Sequence, residues 1–137
     1  MNKLGIAFNC FSATELLPYA VKQLREVADF IICIYQEKSY QGKPIPLVNK
    51  SIMFSEYLEG NVDAMHEVDC SFIHNPKNAE AYKRNQAKNY LMEEGCTHFC
   101  TMDEDELYHT DQFAGAYKDF ILSGADASAC QMQTYYK

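Results

Sequence analysis

The chain lacks a basic stripe, a long apolar run and a Cys-x-x-Cys pair. Its 12 Lys and Arg residues are outnumbered by 19 Asp and Glu, for a net charge of -7, so nucleic acid and anionic membranes are poor partners. The first apolar stretch, residues 4–11, is interrupted by Asn9 and is too short to span a bilayer or to direct secretion. We therefore expect a soluble, cytoplasmic protein with no transmembrane segment.

The cysteines lie mostly in apolar, strand-like runs rather than at the spacings of a disulfide framework. There are six of them: Cys10, Cys33, Cys70, Cys96, Cys100 and Cys130. Cys96 and Cys100 are four residues apart, but no second Cys or His pair is near them in sequence, so a zinc site is not expected. Reduced thiols packed as small hydrophobic side chains fit this usage and a reducing compartment.

Extended and helical patterns alternate along the chain without repeats or a linker, which predicts one domain covering residues 1–137. Strands are predicted at 4–11, 29–36, 68–74, 96–102 and 126–136. Helices are predicted after a cap at Ser12 or Thr14, at 47–58, from a cap at Asn78 to about Glu94, and from about Thr110 to Gly124. This alternation favours an α/β fold, a three-layer Rossmann-like structure with a mostly parallel sheet of about five strands.

Four consecutive acidic residues, 103–106, follow the apolar run 99–102. A strand that ends in carboxylates places negative charge at the edge of the sheet where open α/β folds bind ligands. Carboxylates this close are best tolerated around a divalent cation, so we predict a metal site. Because strand side chains alternate, Glu104 should point away from Asp103 and Asp105. Glu106 is either an acid that supports the metal site from behind Asp103 and Asp105 or a charge that faces solvent, and the second is favoured.

Three further motifs accompany the acidic run, in a fixed order. They are Cys10-Phe11-Ser12-Ala13-Thr14-Glu15-Leu16-Leu17 after the first strand, Lys83-Arg84-Asn85-Gln86-Ala87 in a predicted helix, and Gly95. With the Asp-x-Asp of residues 103–105, they resemble the nucleotide-sugar-binding half of a GT-A-type glycosyltransferase of the family 2 kind. In that family the corresponding elements are a Thr-Tyr-Asn-like stretch followed by Glu-Leu-Leu, an Ala-Arg-Asn helix, a glycine and an Asp-x-Asp strand end. The resemblance spans essentially the whole chain.

The resemblance implies a metal-dependent glycosyltransferase that moves a sugar from a nucleotide-diphosphate sugar to an unknown acceptor. Asp103 and Asp105 would hold Mn²⁺ or Mg²⁺, with Asp103 also at the nucleotide sugar, and backbone groups around Phe11 and Ser12 would contact the nucleotide. The metal would assist departure of the diphosphate by absorbing its developing charge.

Arg84 has two interpretations that the sequence leaves open. Its planar guanidinium can reach the diphosphate or the Asp-x-Asp carboxylates with a bidentate fork. Alternatively, it is a surface residue that pairs with Glu80 one helical turn away.

The chain departs from the family pattern in two places. Its second strand ends in Tyr35 and Gln36, where family members usually have acidic residues that bind the base and ribose. Tyr35 can stack on a base and Gln36 can hydrogen-bond its edge, or neither has a ligand role. In the family, the acceptor segment and the usual general base follow the fifth strand, where this chain stops at Lys137. We therefore expect a sheet that is incomplete at the C-terminus and able to form a homo-oligomer, with Tyr135 and Tyr136 in the contact.

Two other functions stay open. One is a non-catalytic or incomplete module that binds a sugar nucleotide and needs a partner chain or a missing C-terminal half. The other is a different metal-phosphate enzyme, such as a nucleotidyltransferase or nuclease, for which Asp63 and Asp69 are the best further carboxylates. The catalytic base and the donor sugar are not assigned by any motif.

Overall fold

A computed structural model describes residues 2–11, 14–39 and 42–127 of the chain. Its elements in chain order are β1 (Leu4–Cys10), a 3₁₀ turn (Thr14–Leu16), α1 (Leu17–Leu24), β2 (Phe30–Tyr35), α2 (Leu47–Leu58), β3 (Ala64–Glu67), α3 (Pro76–Glu93), β4 (His98–Asp103) and α4 (Thr110–Ser123). The predicted α/β class with helices on a parallel sheet is confirmed.

The four strands of the described residues form one parallel sheet in the order β3-β2-β1-β4. The chain first moves from β1 to β2 and β3, and then crosses back to place β4 on the other side of β1. The carboxyl ends of β1 and β4 therefore flank the point where the strand order reverses, which is where ligands bind in open α/β sheets. The register sets Asn9 of β1 opposite Asp103 of β4 at this position.

Two apolar clusters cover the two faces of the sheet. Ile6, Phe8 and Ile31 lie in one cluster with buried residues of α1, whereas Ala7, Ile32 and Ile34 lie in the other with Ala87 and Leu91 of α3. Neighbouring residues of one strand therefore belong to opposite clusters, as the alternation of side chains in a strand requires. Strands that are buried on both faces explain the continuous apolar runs from which β1 and β2 were predicted.

The third strand was predicted in the wrong place. The strand is Ala64–Glu67, whereas the sequence pattern favoured 68–74. Val68 still donates its N–H to the carbonyl of Tyr35 at 2.8 Å, but the pairing ends there. The Asp69 carboxylate then accepts the N–H of Ser71 at 2.9 Å and turns the chain away. An edge strand is only partly buried, so its sequence does not need the apolar pattern that marks an inner strand.

The predicted helix ends were partly right. The α2 limits, 47–58, and the ends of α3 and α4 before Gly95 and Gly124 are confirmed, and both glycines have positive φ, at 85° and 69°. The cap of α3 is Asn75, not Asn78, because the Asn75 side chain accepts the N–H groups of Lys77 and Asn78. Thr14 does not cap α1, which has no side-chain cap.

The cysteines, the last helix and the predicted last strand are the remaining points of comparison with the sequence. Of the described cysteines, Cys10, Cys33, Cys70 and Cys96 are free and buried, as predicted for thiols packed as small hydrophobes. No residue of α4 is buried, but half-buried Phe113 and Tyr117 of this helix pack against the core. The predicted last strand, 126–136, lies almost entirely outside the described residues. Across the described ranges, no helix is both long and apolar enough to cross a membrane.

A substitution in β1 tests how closely α3 packs on the sheet. A Cβ at Gly5 would lie 2.7 Å from Sγ of Cys96 and 2.8 Å from Cδ2 of Leu91, both of which are buried. We expect Gly5→Ala to lower the free energy of unfolding by roughly 1–3 kcal/mol through overpacking, measured by urea denaturation.

The matched control is Gly115→Ala in α4, where an added Cβ meets no atom within 4 Å. Removing a glycine from a helix interior should stabilise the protein by roughly 0.5–1 kcal/mol. Equal effects of the two substitutions would contradict the described contact between β1 and α3.

Candidate functional site

A cleft of about 380 Å³ lies at the carboxyl ends of β1 and β4. Its lining combines the ends of these strands, the residue after β2 and the first turns of α3. The lining residues are Asn9, Phe11, Gln36, Ser39, Pro76, Ala79, Glu80, Lys83, Asp103, Glu104 and Asp105. The cleft therefore occupies the reversal of strand order and contains the acidic residues that the sequence singled out.

A turn after β4 places Asp103 and Asp105 at this cleft. The N–H of Glu106 donates to the carbonyl of Asp103 at 3.1 Å, and the Asp103 N–H donates in turn to the Glu106 carboxylate. The prediction that Glu106 faces solvent was wrong, because it is half-buried and stabilises the turn. Burial, followed by repulsion from Asp103, raises the pKa of Glu106, although the hydrogen bond from the Asp103 N–H opposes this.

Glu104 points away from its two acidic neighbours, as predicted. Its side chain is buried, and its two oxygens accept the Phe11 N–H at 2.9 Å and the Thr14 hydroxyl at 2.7 Å. The carboxylate thus ties the turn after β4 to the segment after β1. Alternation along the chain separates it from Asp103 and Asp105, which are exposed.

Phe11 lines the cleft, but its backbone is already engaged within the protein. Its N–H donates to Glu104, and its carbonyl accepts the side-chain amide of buried Asn49 at 2.8 Å. The predicted backbone donor to a nucleotide is therefore used internally, because an amide has one proton to donate. Ser12, the other residue of this prediction, lies outside the described residues.

Arg84 makes the contacts of both of its predicted roles. Its Nε and Nη2 donate to Oε1 of Glu80 at 3.1 and 3.0 Å, and the same Nη2 lies 3.3 Å from Oδ1 of Asp103. Nη1 donates to the Thr101 hydroxyl at 2.9 Å. The guanidinium therefore fixes Asp103 at the rim of the cleft, assisted by the Asn9 amide at 3.5 Å from the same oxygen.

The two residues at the end of β2 have different positions. Tyr35 is 7% exposed and packs in the core at 6.2 Å from the ring of Phe54, which favours the interpretation that it has no ligand role. Gln36 does line the cleft, where its amide nitrogen donates to the Lys38 carbonyl at 3.0 Å. Its side-chain oxygen remains the group with which it can contact a ligand.

The carboxylates of Asp103 and Asp105 are only partly engaged by other groups of the described chain. Over the described part of the chain, nothing donates to Asp105 or to Oδ2 of Asp103, and no group of three or more His, Cys, Asp or Glu is arranged to hold a metal. Mg²⁺ and ions of similar preference are commonly held by one or two carboxylates plus substrate phosphates and water. Asp103 and Asp105 supply that number of ligands.

Lys83 is a cleft residue to which sequence reasoning gave no role. It is 5% exposed, and its Nζ donates to the carbonyl of Cys10 at 3.4 Å. Burial lowers the pKa of this lysine, although nearby thiols and carboxylates act in the opposite direction. A signal was present in the sequence, because Ala79, Lys83, Ala87 and Leu91 are spaced by four residues and form the buried stripe of α3.

Comparison with known proteins gives no match with which these features can be compared. No protein-family model, no curated protein and no solved structure matches the chain.

Proposed function

We propose that the cleft binds a nucleoside-diphosphate sugar together with Mn²⁺ or Mg²⁺, and that the protein is a metal-dependent glycosyltransferase. One observation carries the proposal: Asp103 and Asp105 line one cleft at the reversal of strand order, while Glu104 between them is turned inward. Asp103, although it contacts Arg84, and Asp105 place two negative charges beside one strand end, and a cation bound there together with an anionic ligand would offset their repulsion.

The residues of the chain have distinct parts in this proposal. Asp103, held by Arg84 and Asn9, and Asp105 would hold the cation. When bound, that cation would neutralise the negative charge that develops on the departing diphosphate. Gln36 offers a side-chain oxygen to the base or ribose, and Glu104 keeps the strand ends at a fixed separation before any ligand arrives.

A second function is that the chain binds the donor but does not transfer the sugar by itself. It is favoured because other carboxylates of the cleft already have partners within the protein. Glu80 is paired with Arg84 at 3.0 Å, and Glu104 is buried against Phe11 and Thr14. With Asp103 and Asp105 assigned to the cation, no acidic residue of the described cleft is left to act as a general base. Transfer would then need a group from outside the described cleft, supplied by a partner chain or by a missing C-terminal half.

The third function, a nucleotidyltransferase or nuclease, needs carboxylates that the fold places elsewhere. Asp63 lies 2.8 Å from Nη1 of Arg25 and accepts the N–H of Ile31, near the amino end of β2. Asp69 is occupied by Ser71. Neither residue lines the cleft.

Removal of one cleft carboxylate tests the proposed site. A panel of UDP-, GDP- and dTDP-sugars is measured by thermal shift with and without Mn²⁺. A donor present at ~100 times its Kd should stabilise the wild-type protein by about 2.7 kcal/mol. Asp105→Asn should remove most of this shift, because the amide cannot neutralise the cation.

The matched control is Asp119→Asn, which makes the same charge change at an exposed position on α4. It should retain the full wild-type shift. No shift with any donor, or equal shifts in the Asp105 and Asp119 variants, would overturn the proposed donor site. A donor-dependent shift without sugar transfer to any acceptor would leave the binding module as the function.

Dependence of metal binding on the diphosphate is a second test. Because the described cleft offers only two carboxylates to a cation, Mn²⁺ should bind weakly alone and more tightly when UDP supplies phosphate oxygens. We expect UDP to raise Mn²⁺ affinity by about 5–150-fold, and Mn²⁺ to raise UDP affinity by the same factor.

Free Mn²⁺ is measured by electron paramagnetic resonance during the titrations, with a protein-free series to account for Mn²⁺ bound to UDP in solution. Equal Mn²⁺ affinity with and without UDP would mean that the cation and the diphosphate do not share this site.

A further inference from the structure

Lys83 brings a positive charge into the cleft from its inner wall. The residue lies on α3 between Ala79 and Ala87, on the face that covers the sheet. A second, much smaller cavity of about 10 Å³ is lined by Lys83 together with Ala7, Ile34 and Ala87. The aliphatic part of the side chain therefore crosses an apolar floor, and its amino group lies near the end of β1.

The amino group has few partners for a buried charge. An ammonium has three N–H donors, and the Cys10 carbonyl at 3.4 Å accepts the one hydrogen bond that Lys83 makes to the described residues. No salt bridge joins it to Asp103 or Glu104, although all three line the same cleft. Burying an ammonium with so little compensation is unfavourable, and burial lowers its pKa accordingly.

Lys83 is also the only basic side chain among the described residues that line the larger cleft. Arg84, its neighbour in sequence, is engaged by Glu80, Thr101 and Asp103. An anion that enters the described part of the cleft therefore meets the carboxylates of Asp103 and Asp105 and one basic side chain, that of Lys83.

We propose that Lys83 is an anion-binding residue of this cleft, which contacts the diphosphate of the ligand opposite the cation held by Asp103 and Asp105. This inference rests on the proposed function, since it takes the diphosphate as the ligand. The phosphate oxygens would accept the N–H groups of Lys83 that the described residues leave without partners, and would offset the unfavourable burial of the charge. A purely structural lysine would instead act only on stability.

Inorganic pyrophosphate with Mn²⁺ is the probe, because it contains neither base nor sugar. Its binding is measured by isothermal titration calorimetry to the wild-type protein and to Lys83→Met, Lys83→Gln, Lys88→Met and Asp105→Asn. Lys88 is exposed on the same helix, so its substitution removes one positive charge without touching the cleft. Lys83→Gln retains a donor for the Cys10 carbonyl, so it tests the same loss of charge if Lys83→Met fails to fold.

Both Lys83 variants should bind pyrophosphate roughly tenfold more weakly or worse, as expected on losing a hydrogen bond to a charged group. They should bind Mn²⁺ alone as the wild type does, and their melting temperatures should be unchanged or higher because a buried charge has gone. Lys88→Met should match the wild type, and Asp105→Asn should lose pyrophosphate binding.

The outcomes separate the two proposals. Wild-type affinity for pyrophosphate in both Lys83 variants, with loss in Asp105→Asn, would overturn the role of Lys83 and leave the donor site standing. An equal loss in Lys88→Met would also overturn it, since the effect would then be one of net charge. Absence of metal-dependent pyrophosphate binding in the wild type would overturn the donor site and this inference together.

Discussion

The carboxylate of Glu104 holds together the two strand ends on which the cleft depends. It is 3% exposed and accepts one donor from the backbone of Phe11 and one from the side chain of Thr14, about ninety residues earlier in the chain. An ionised carboxylate has only acceptors, so an N–H and an O–H are suitable partners. Removing this carboxylate would leave the Phe11 N–H and the Thr14 hydroxyl without their acceptor, at a typical cost of about 1–3 kcal/mol for each buried group. The geometry of the cleft therefore depends on an acid that does not itself enter the proposed chemistry.

That arrangement also explains how four consecutive acids can share one strand end. Glu104 is turned inward to the segment after β1, and Glu106 closes the turn by accepting the Asp103 N–H. Asp103 is held by Arg84 at 3.3 Å, which leaves Asp105 with its charge most freely presented to the cleft. Repulsion among the four carboxylates is therefore reduced, because Glu104, Glu106 and Asp103 interact with different partners. The remaining negative charge lies where a cation would bind.

The sequence predicted those parts of the fold that depend on local pattern and failed where tertiary contacts decide. β1, β2 and α2 follow from apolar runs and helical spacing, and the divergence of Glu104 follows from strand alternation. The edge strand Ala64–Glu67 could not be found this way, because its residues are half-exposed and show no apolar pattern. The sequence left open whether Tyr35 contacts a ligand, whereas in the structure α2 folds over the end of β2 and packs Phe54 against the Tyr35 ring. Which helix covers a strand end is a property of the whole fold.

Lys83 shows that a helical spacing pattern can be present in the sequence without revealing where the end of a side chain lies. Its position in the buried stripe of α3 is evident from the spacing, yet a lysine in such a stripe usually extends its amino group to solvent. Here the amino group reaches the end of β1 instead, on the inner side of a cleft whose outer side is acidic. A diphosphate is attracted to an acidic protein only by positive charge that lies within a few ångströms of the site. At physiological salt, the field of more distant charges is screened over about 8 Å. The net charge of -7 therefore matters less to such a ligand than local positive charge, which in the proposed site would come from a cation at Asp103 and Asp105 and from Lys83.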